Sequence, residues 1–431
     1  MTRGRNPRDT RRSRIARGSI SPHDVRRPDT VPDHAAEPDS EIVDVTVTAL
    51  AAGGDGVARD DQGRVTFVAR AAPGDRVRVR VVQATSSFAR AEIVEILEPA
   101  STRVEPPCKH FVEGCGGCAW QHVARAEQLL AKQTIVVGAL RKLEGLVVHD
   151  ILDPGPPLGW RRRARFHVAG GKLGLFVLGS HRVLPIERCP QLEPELDEAR
   201  ALIARSTPPD GELALIRSRD GKIVVGVERG WRGAERVVGK LGIAGAVAGD
   251  RVFGESVIEV EAELVAGPWD FAQASALGND ALIATTRRVL GRGPGQLVEL
   301  YAGGGNLTRG LVADGWDVIA TDAAAPARTI PGVAFEVGLV QDVLVRIVAA
   351  RSSRPVDAVV LDPPRSGALE ALDGIIDLAP QRIVYVSCDP ATLARDAARL
   401  VAAGYRAVEA WPIDLMPQTA HVEVVLQLVA K

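Results

Sequence analysis

The stretch QLVELYAGGGNLTRGLV, Gln296 to Val312, runs from an apolar strand-like segment through three consecutive glycines into a helix-like one. Glycine lets the backbone turn sharply and lets a ligand approach where a side chain would exclude it. WDVIATD follows and ends in Asp322, about twenty residues past the turn, where a carboxylate can bind both hydroxyls of an adenosyl ribose. Further on come the apolar runs VDAVVLDPP, Val356 to Pro364, and RIVYVSC, Arg382 to Cys388. The chain closes on YRAVEAWPID and HVEVVLQLV, which read as an antiparallel hairpin. Strand, turn and helix repeated in this way beyond Pro268 predict a parallel α/β sheet. A glycine turn plus an acid occurs in NAD enzymes and in many unrelated α/β proteins, so that pair alone leaves the ligand open. That strand inventory suits a methyltransferase better than a dehydrogenase.

Two residues of this region carry chemistry. Cys388 stands just beyond the run RIVYVS, and Glu423 lies in PQTAHVE at the start of the last strand. A lone cysteine at a strand end is most often a small buried hydrophobe, and Glu423 by itself could be an exposed strand residue. Held on neighbouring strand ends, however, a thiol and a carboxylate are what pyrimidine C5 methylation needs. C5 of uracil becomes nucleophilic only after something has added to C6, and a base must later remove the C5 proton.

Outward from this region the composition is that of an ordinary globular protein. The 431 residues are 46% apolar with net charge −1, enough for two or three domains with ample core. No run approaches the ~18 apolar residues of a membrane span, so no membrane partner is expected, and no stable protein partner is implied. The first thirty residues carry nine Arg and three Asp and almost nothing apolar, so residues 1–40 are expected to be a disordered basic tail. They lack the apolar core of a secretory signal, and a cytoplasmic location is expected. Such a tail could add affinity for RNA, although many are merely solvated. From residue 41 to 98, short alternating runs separated by glycine turns suggest about five strands, the pattern of a small closed β-barrel. Residues 99–267 read as a central α+β domain, with a helix-like stretch from Gln121 to Leu143. Residues 268–431 form the α/β domain.

The central region holds four of the five cysteines. Cys108, Cys115 and Cys118 lie in CKHFVEGCGGC, and Cys189 follows in IERCP. Inside a cell such a set reads as a metal site before disulfides, and four thiolates suit a structural zinc or an iron–sulfur cube equally. GWRRRARFHV places Arg161, Arg162, Arg163 and Arg165 beside Trp160 and Phe166, a mix suited to phosphate contact and base stacking. Exposed arginines on an ordinary strand are the plain alternative.

FAQAS at Phe271 to Ser275, ELYAGGGN at Glu299 to Asn306, LDPPRSG at Leu361 to Gly367, VSCDPATLARD at Val386 to Asp396 and PQTAHVE at Pro417 to Glu423 together resemble, in order and spacing, the motifs of the RNA 5-methyluridine methyltransferases. The N-terminal strands resemble the TRAM barrel of that family, and the cysteines resemble the cluster of its ribosomal-RNA branch. The resemblance implies a class I, Rossmann-like methyltransferase domain using S-adenosylmethionine. It implies Cys388 as nucleophile, Glu423 as base, and Gln273, Tyr301, Asn306, Asp322 and Asp362 around the cofactor, with Asp362 also near the base to be modified. On Cys108, Cys115, Cys118 and Cys189 it favours a [4Fe-4S] cluster over zinc. The substrate it implies is a uridine of 23S rRNA, because the bacterial tRNA-modifying branch typically lacks both barrel and cluster. Methylation of tRNA, and a non-catalytic RNA-binding relative, are the alternatives. Ser275 stands where the family usually has Asn, Ala302 where it has Cys, Asp322 where it has Glu, and Gly338 where it has a polar residue. The helix expected after Asp322 also finds no counterpart in AAAPARTIPGVAFEVG, so altered cofactor binding is anticipated.

Overall fold

A computed structural model describes residues 41–350 and 355–431. The basic tail, residues 1–40, lies outside the described residues. Among them, no helix is long and apolar enough to cross a membrane.

The barrel is closed by five strands, Ile42–Leu50, Gly56–Arg59, Val65–Val68, Arg76–Ala84 and Phe88–Glu98. Alternate residues point inward, and Val45, Val47, Ala58, Val68, Val77, Val79 and Ala91 form its core. Seven strands make a second sheet with Arg163–Ala169 and Gly211–Arg217 near its centre, backed by helix Pro194–Arg205.

The third sheet has eight strands. Ala334–Val337, Asp317–Asp322, Gln296–Leu300, Ala358–Leu361 and Arg382–Ser387 are parallel neighbours in that order. Glu423–Ala430 and Tyr405–Ile413 then add the antiparallel hairpin. Buried strands of a parallel sheet need apolar cover on both faces. One face is covered by helices Arg125–Leu140, Val340–Ala350, Leu372–Leu378 and Pro390–Ala402, and the other by Ala276–Leu290 and Thr308–Ala313. Helix Arg125–Leu140 and the two-residue strand Val147–Val148, which pairs with the hairpin as the eighth strand, come from the stretch read as a central domain yet pack here.

The ladders place the strand ends. Leu300 is level with Leu361, and Leu361 with Tyr385. Tyr301, Asp362 and Cys388 therefore emerge at the carboxyl edge of the sheet, where open α/β sheets bind their ligands.

Candidate active site

Cys388 is confined by the two elements it joins. Ser387 ends its strand and donates from Oγ to the Asp389 carbonyl at 3.1 Å, while Asp389 N–H donates back to Ser387 Oγ at 3.2 Å. Asp389 then caps helix Pro390–Ala402, its carboxylate accepting from Ala391 N and Thr392 N at 2.9 Å each, and Pro390 supplies a first helical residue that needs no N–H partner. SCDPAT is thus a strand stop and a helix start one residue apart, with the thiol between them.

Asp362 and Arg365 are set by the loop LDPPRSG. Asp396 is fully buried and accepts from Ala368 N at 2.8 Å and from Tyr385 Oη at 2.7 Å, pinning the end of that loop to helix Pro390–Ala402. Gly367 has φ +83°, and a Cβ there would stand 2.4 Å from both Arg395 Nη2 and Asp396 Oδ2.

Glu423 is buried and pairs with Ile413 at the mouth of the hairpin. Ser387 pairs with Val424, so one further register step sets Cys388 against Glu423. Burial, then Glu423 and then Asp362 push the Cys388 thiol up to about 12, opposed by the Arg365 guanidinium. Burial raises Asp362 to about 7. Glu423 is raised well above the ordinary carboxylate range by burial and by Asp362. Arg365 also faces His421, with Nη2 3.0 Å from Nε2. Arg365 lies inside the quoted LDPPRSG, where sequence alone assigns it no role. The signal available was chemical: a buried thiol flanked by two carboxylates needs a nearby cation to ionise.

The glycine turn forms a cradle. Gly303 has φ +55° and a Cβ there would meet open space, whereas one at Gly304 would strike Leu264 Cδ1 at 2.7 Å and one at Gly305 Ile330 Cδ1 at 2.2 Å. Tyr301, just before the turn, holds φ +60°, a conformation that costs a non-glycine residue of order 1–3 kcal/mol, and its hydroxyl donates to Glu370 Oε1 at 3.1 Å. Asp322 accepts from Gly303 N at 2.9 Å and Ala324 N at 3.1 Å. A carboxylate has about four lone-pair positions, so capacity for two ribose hydroxyls remains. Between Asp322 and Ala334 no helix forms, in keeping with the missing segment noted above.

Gln273 and Asn306 are reached differently. The segment carrying Gln273 is held by Arg162, whose backbone N–H donates to the Ala274 carbonyl at 2.9 Å and whose Nε donates to the Gln273 carbonyl at 3.1 Å. Asn306 exchanges two amide hydrogen bonds, 2.8 and 2.9 Å, with buried Asn279, which also donates to Glu261. Sequence alone assigns Glu299 no role. It is buried, its Oε2 lacks a hydrogen-bond partner among the described residues, and burial lifts it to about 8. The charges of Asp362, Arg309 and Asp322 act on it, so it faces the same edge of the sheet. A buried carboxyl with one oxygen left open beside a glycine turn fits the ammonium group of an amino-acid-bearing ligand.

The arginine-rich strand corrects one expectation. Trp160, Arg162 and Phe166 point inward, and Arg162 donates to Val260 O at 2.9 Å and pairs with Glu261. The period of two along a strand divides GWRRRARFHV. Of its four arginines, Arg161, Arg163 and Arg165 keep partial exposure, whereas Trp160 and Phe166 are buried and not placed to stack on bases.

Among the described residues, no three His, Cys, Asp or Glu side chains gather closely enough to hold a single metal ion. The four cysteines are nonetheless neighbours. Cys118 is pushed up to about 12 by burial, with Cys189 and Cys115 adding to it. Cys115 is raised by burial, with Cys189 and Cys108 contributing. Gly117 N donates to Cys115 Sγ at 3.4 Å and Gln121 Nε2 to Cys118 Sγ at 3.1 Å. Arg70 acts on Cys115, and Arg161 on Cys118 and Cys189. Converging N–H donors and cations fit anionic thiolates.

A parallel sheet with a glycine cradle at its carboxyl edge defines a class I methyltransferase fold. The family descriptions that match are TRAM domain over residues 40–94 and tRNA (Uracil-5-)-methyltransferase over residues 350–431. A 23S rRNA (uracil(1939)-C(5))-methyltransferase of Alkalilimnicola ehrlichii is 34% identical, over 89% of this chain and 95% of its own. Another, of Thiobacillus denitrificans, is 32% identical over 88% of this chain and 98% of its own. The fold resembles that of the Pyrococcus abyssi tRNA (uracil-54, C5)-methyltransferase solved with S-adenosyl-L-homocysteine, with TM-score 0.71 and 21% identity over 90% of this chain and 100% of that one. The chain belongs to the RNA uracil-C5 methyltransferase family.

Proposed function

We propose that this protein methylates C5 of a uridine in 23S rRNA. The observation that carries the reading is the placement of Cys388 against Glu423, with Asp362 and Arg365 beside them. S-adenosylmethionine, seated by the Gly303–Gly305 turn, Asp322 and Glu299, with Gln273, Tyr301 and Asn306 shaping the site, supplies a methyl group on a sulfonium.

The chain's residues handle the rest. Cys388 gives up its proton to water and its sulfur bonds to C6, which moves the C5–C6 electron pair toward C5 and O4. Arg365 favours the thiolate against burial. Once C5 has taken the methyl, Glu423 removes the C5 proton. The released pair re-forms the C5–C6 double bond and expels the Cys388 thiolate. Asp362 and Glu423 are buried together, and two like charges so placed are not both ionised cheaply, so the pair retains a proton into the neutral range. Asp362 can accept the uracil N3 hydrogen while it is the ionised member of the pair, and Glu423 is the ionised member when it removes the C5 proton.

Ribosomal RNA is favoured over tRNA by the names of the relatives that span nearly the whole chain, together with the barrel and the four thiols. Reaching C5 and C6 requires an unpaired or flipped uridine. Cys108, Cys115, Cys118 and Cys189 would hold a [4Fe-4S] cluster in a structural or RNA-positioning role, visible as a broad absorbance near ~400 nm in anaerobic protein. A reaction on ribosomal RNA would run in the cytoplasm. Incubation with labelled S-adenosylmethionine and unmodified 23S rRNA or tRNA tests the function. Label in 5-methyluridine of 23S rRNA supports it; label confined to tRNA transfers the activity to the other substrate.

A further inference from the structure

We infer that Gln128 and Lys132 are positioning residues for the base Glu423, acting through the buried loop that closes the terminal hairpin; this rests on the methylation reading above.

Residues 414–422 connect Tyr405–Ile413 to Glu423–Ala430, and Glu423 is the first residue after them. Connections usually run over the surface, because buried loop backbone needs partners that water would otherwise supply. In this loop Asp414, Leu415, Pro417, Gln418, Thr419, Ala420 and Val422 are all buried. Apart from Leu152, whose carbonyl takes Asp414 N, and Arg365, which faces His421, its outside partners come from Ala119 to Lys132. Gln128 Nε2 donates to Gln418 Oε1 at 3.0 Å, and Gln418 N donates back to Gln128 Oε1 at 3.2 Å. The Gln418 carbonyl accepts from Ala119 N and Trp120 N at 3.0 Å each. Lys132 Nζ, fully buried, donates to Asp414 Oδ1 at 2.5 Å and to the Met416 carbonyl at 3.1 Å. Arg125 takes the other Asp414 oxygen.

Gln418 holds φ +65°, a left-handed conformation that glutamine keeps only where its surroundings impose it. The clamp therefore fixes a strained loop whose last bond leads into Glu423. The same segment follows directly on Cys118, so the loop is also tied to the cysteine-bearing end of the central region.

Loosening the clamp moves Glu423 while leaving Cys388, which is anchored by Ser387 and Asp389, in place. The sulfur should still add and the methyl should still transfer, but the C5 proton should leave slowly. The test uses full-length Gln128→Met and Lys132→Met with a 23S rRNA transcript and S-adenosylmethionine, reading methyl transfer and release of the denaturation-resistant protein–RNA adduct in one turnover. Folded Gln128→Met should transfer methyl at close to the wild-type rate and release RNA up to about 100-fold more slowly, the order expected for a small displacement of a reacting group. Lys132→Met should do the same, and where loss of the buried cation prevents folding, Gln128→Met decides alone. RNA carrying 5-fluorouridine offers no C5 proton, so the variant should form that adduct at the wild-type rate, which a general structural lesion would not allow. Release at the wild-type rate, or equal slowing of adduct formation and release, overturns the inference. A wild type that forms neither 5-methyluridine nor adduct removes the methylation reading itself and this inference with it.

Discussion

Cys388 and Glu423 lie one register step beyond the pair Ser387 and Val424, on antiparallel strands whose ends meet at the carboxyl edge of the sheet. In the proposed reaction, thiol and carboxylate would approach the uracil ring from adjacent strands, and each can be tested separately.

Glu423→Gln should leave C6 addition and methyl transfer intact and trap the methylated RNA on Cys388. Turnover should fall by roughly 10²–10⁴-fold, the usual contribution of a general base. A denaturing gel of protein and labelled RNA, run with and without the substitution, checks this.

Cys388 should be a poor thiolate in the free protein, because burial and the two carboxylates push it up to about 12. Iodoacetamide labelling of Cys388 should be slow at pH 7 and accelerate as pH rises. Arg365→Leu removes the opposing cation and should slow it further at every pH. Peptide mass spectrometry after timed alkylation reads both effects, and faster labelling of the variant would contradict the role given to Arg365.

Asp362 is raised to about 7 from 3.8. A carboxyl raised on folding holds its proton in the native state where the unfolded chain has lost it, so its contribution to stability is present below pH 3.8 and is lost as pH climbs through 7. Asp362→Asn should therefore melt higher than wild type at pH 8, with the difference shrinking toward pH 4, while activity is lost. Thermal melts across that range decide it.

Much of this was legible in the chain. The glycine turn, the hairpin and the five barrel strands follow from periodicity and turn residues, and SCDPAT announces its own strand stop and helix cap. What escaped notice depends on contacts between distant segments. Val147–Val148 is too short to show a period, and only the neighbouring hairpin makes it a strand. Arg162 looked like a phosphate contact because an arginine run does not show which members face inward; its partner Glu261 lies 99 residues away. Glu299 sat inside an apolar run and was passed over as part of a strand, although a carboxyl in such a run must be there for a reason other than packing.

The cradle makes a separate prediction. Gly303→Ala would project its methyl into the open space of the turn. It should weaken S-adenosylmethionine binding by at least about tenfold, near 1.4 kcal/mol, with a melting temperature only slightly lowered. Gly305→Ala instead collides with Ile330 and should lower the melting temperature clearly. Calorimetric titration alongside melting curves separates the two.

The most direct measurement is nucleoside mass spectrometry of unmodified 23S rRNA after incubation with labelled S-adenosylmethionine and either wild-type protein or Cys388→Ala. The geometry predicts labelled 5-methyluridine with the wild type and none with the variant. Equal label with both would contradict covalent catalysis by Cys388, and no label with either would contradict the methylation reading.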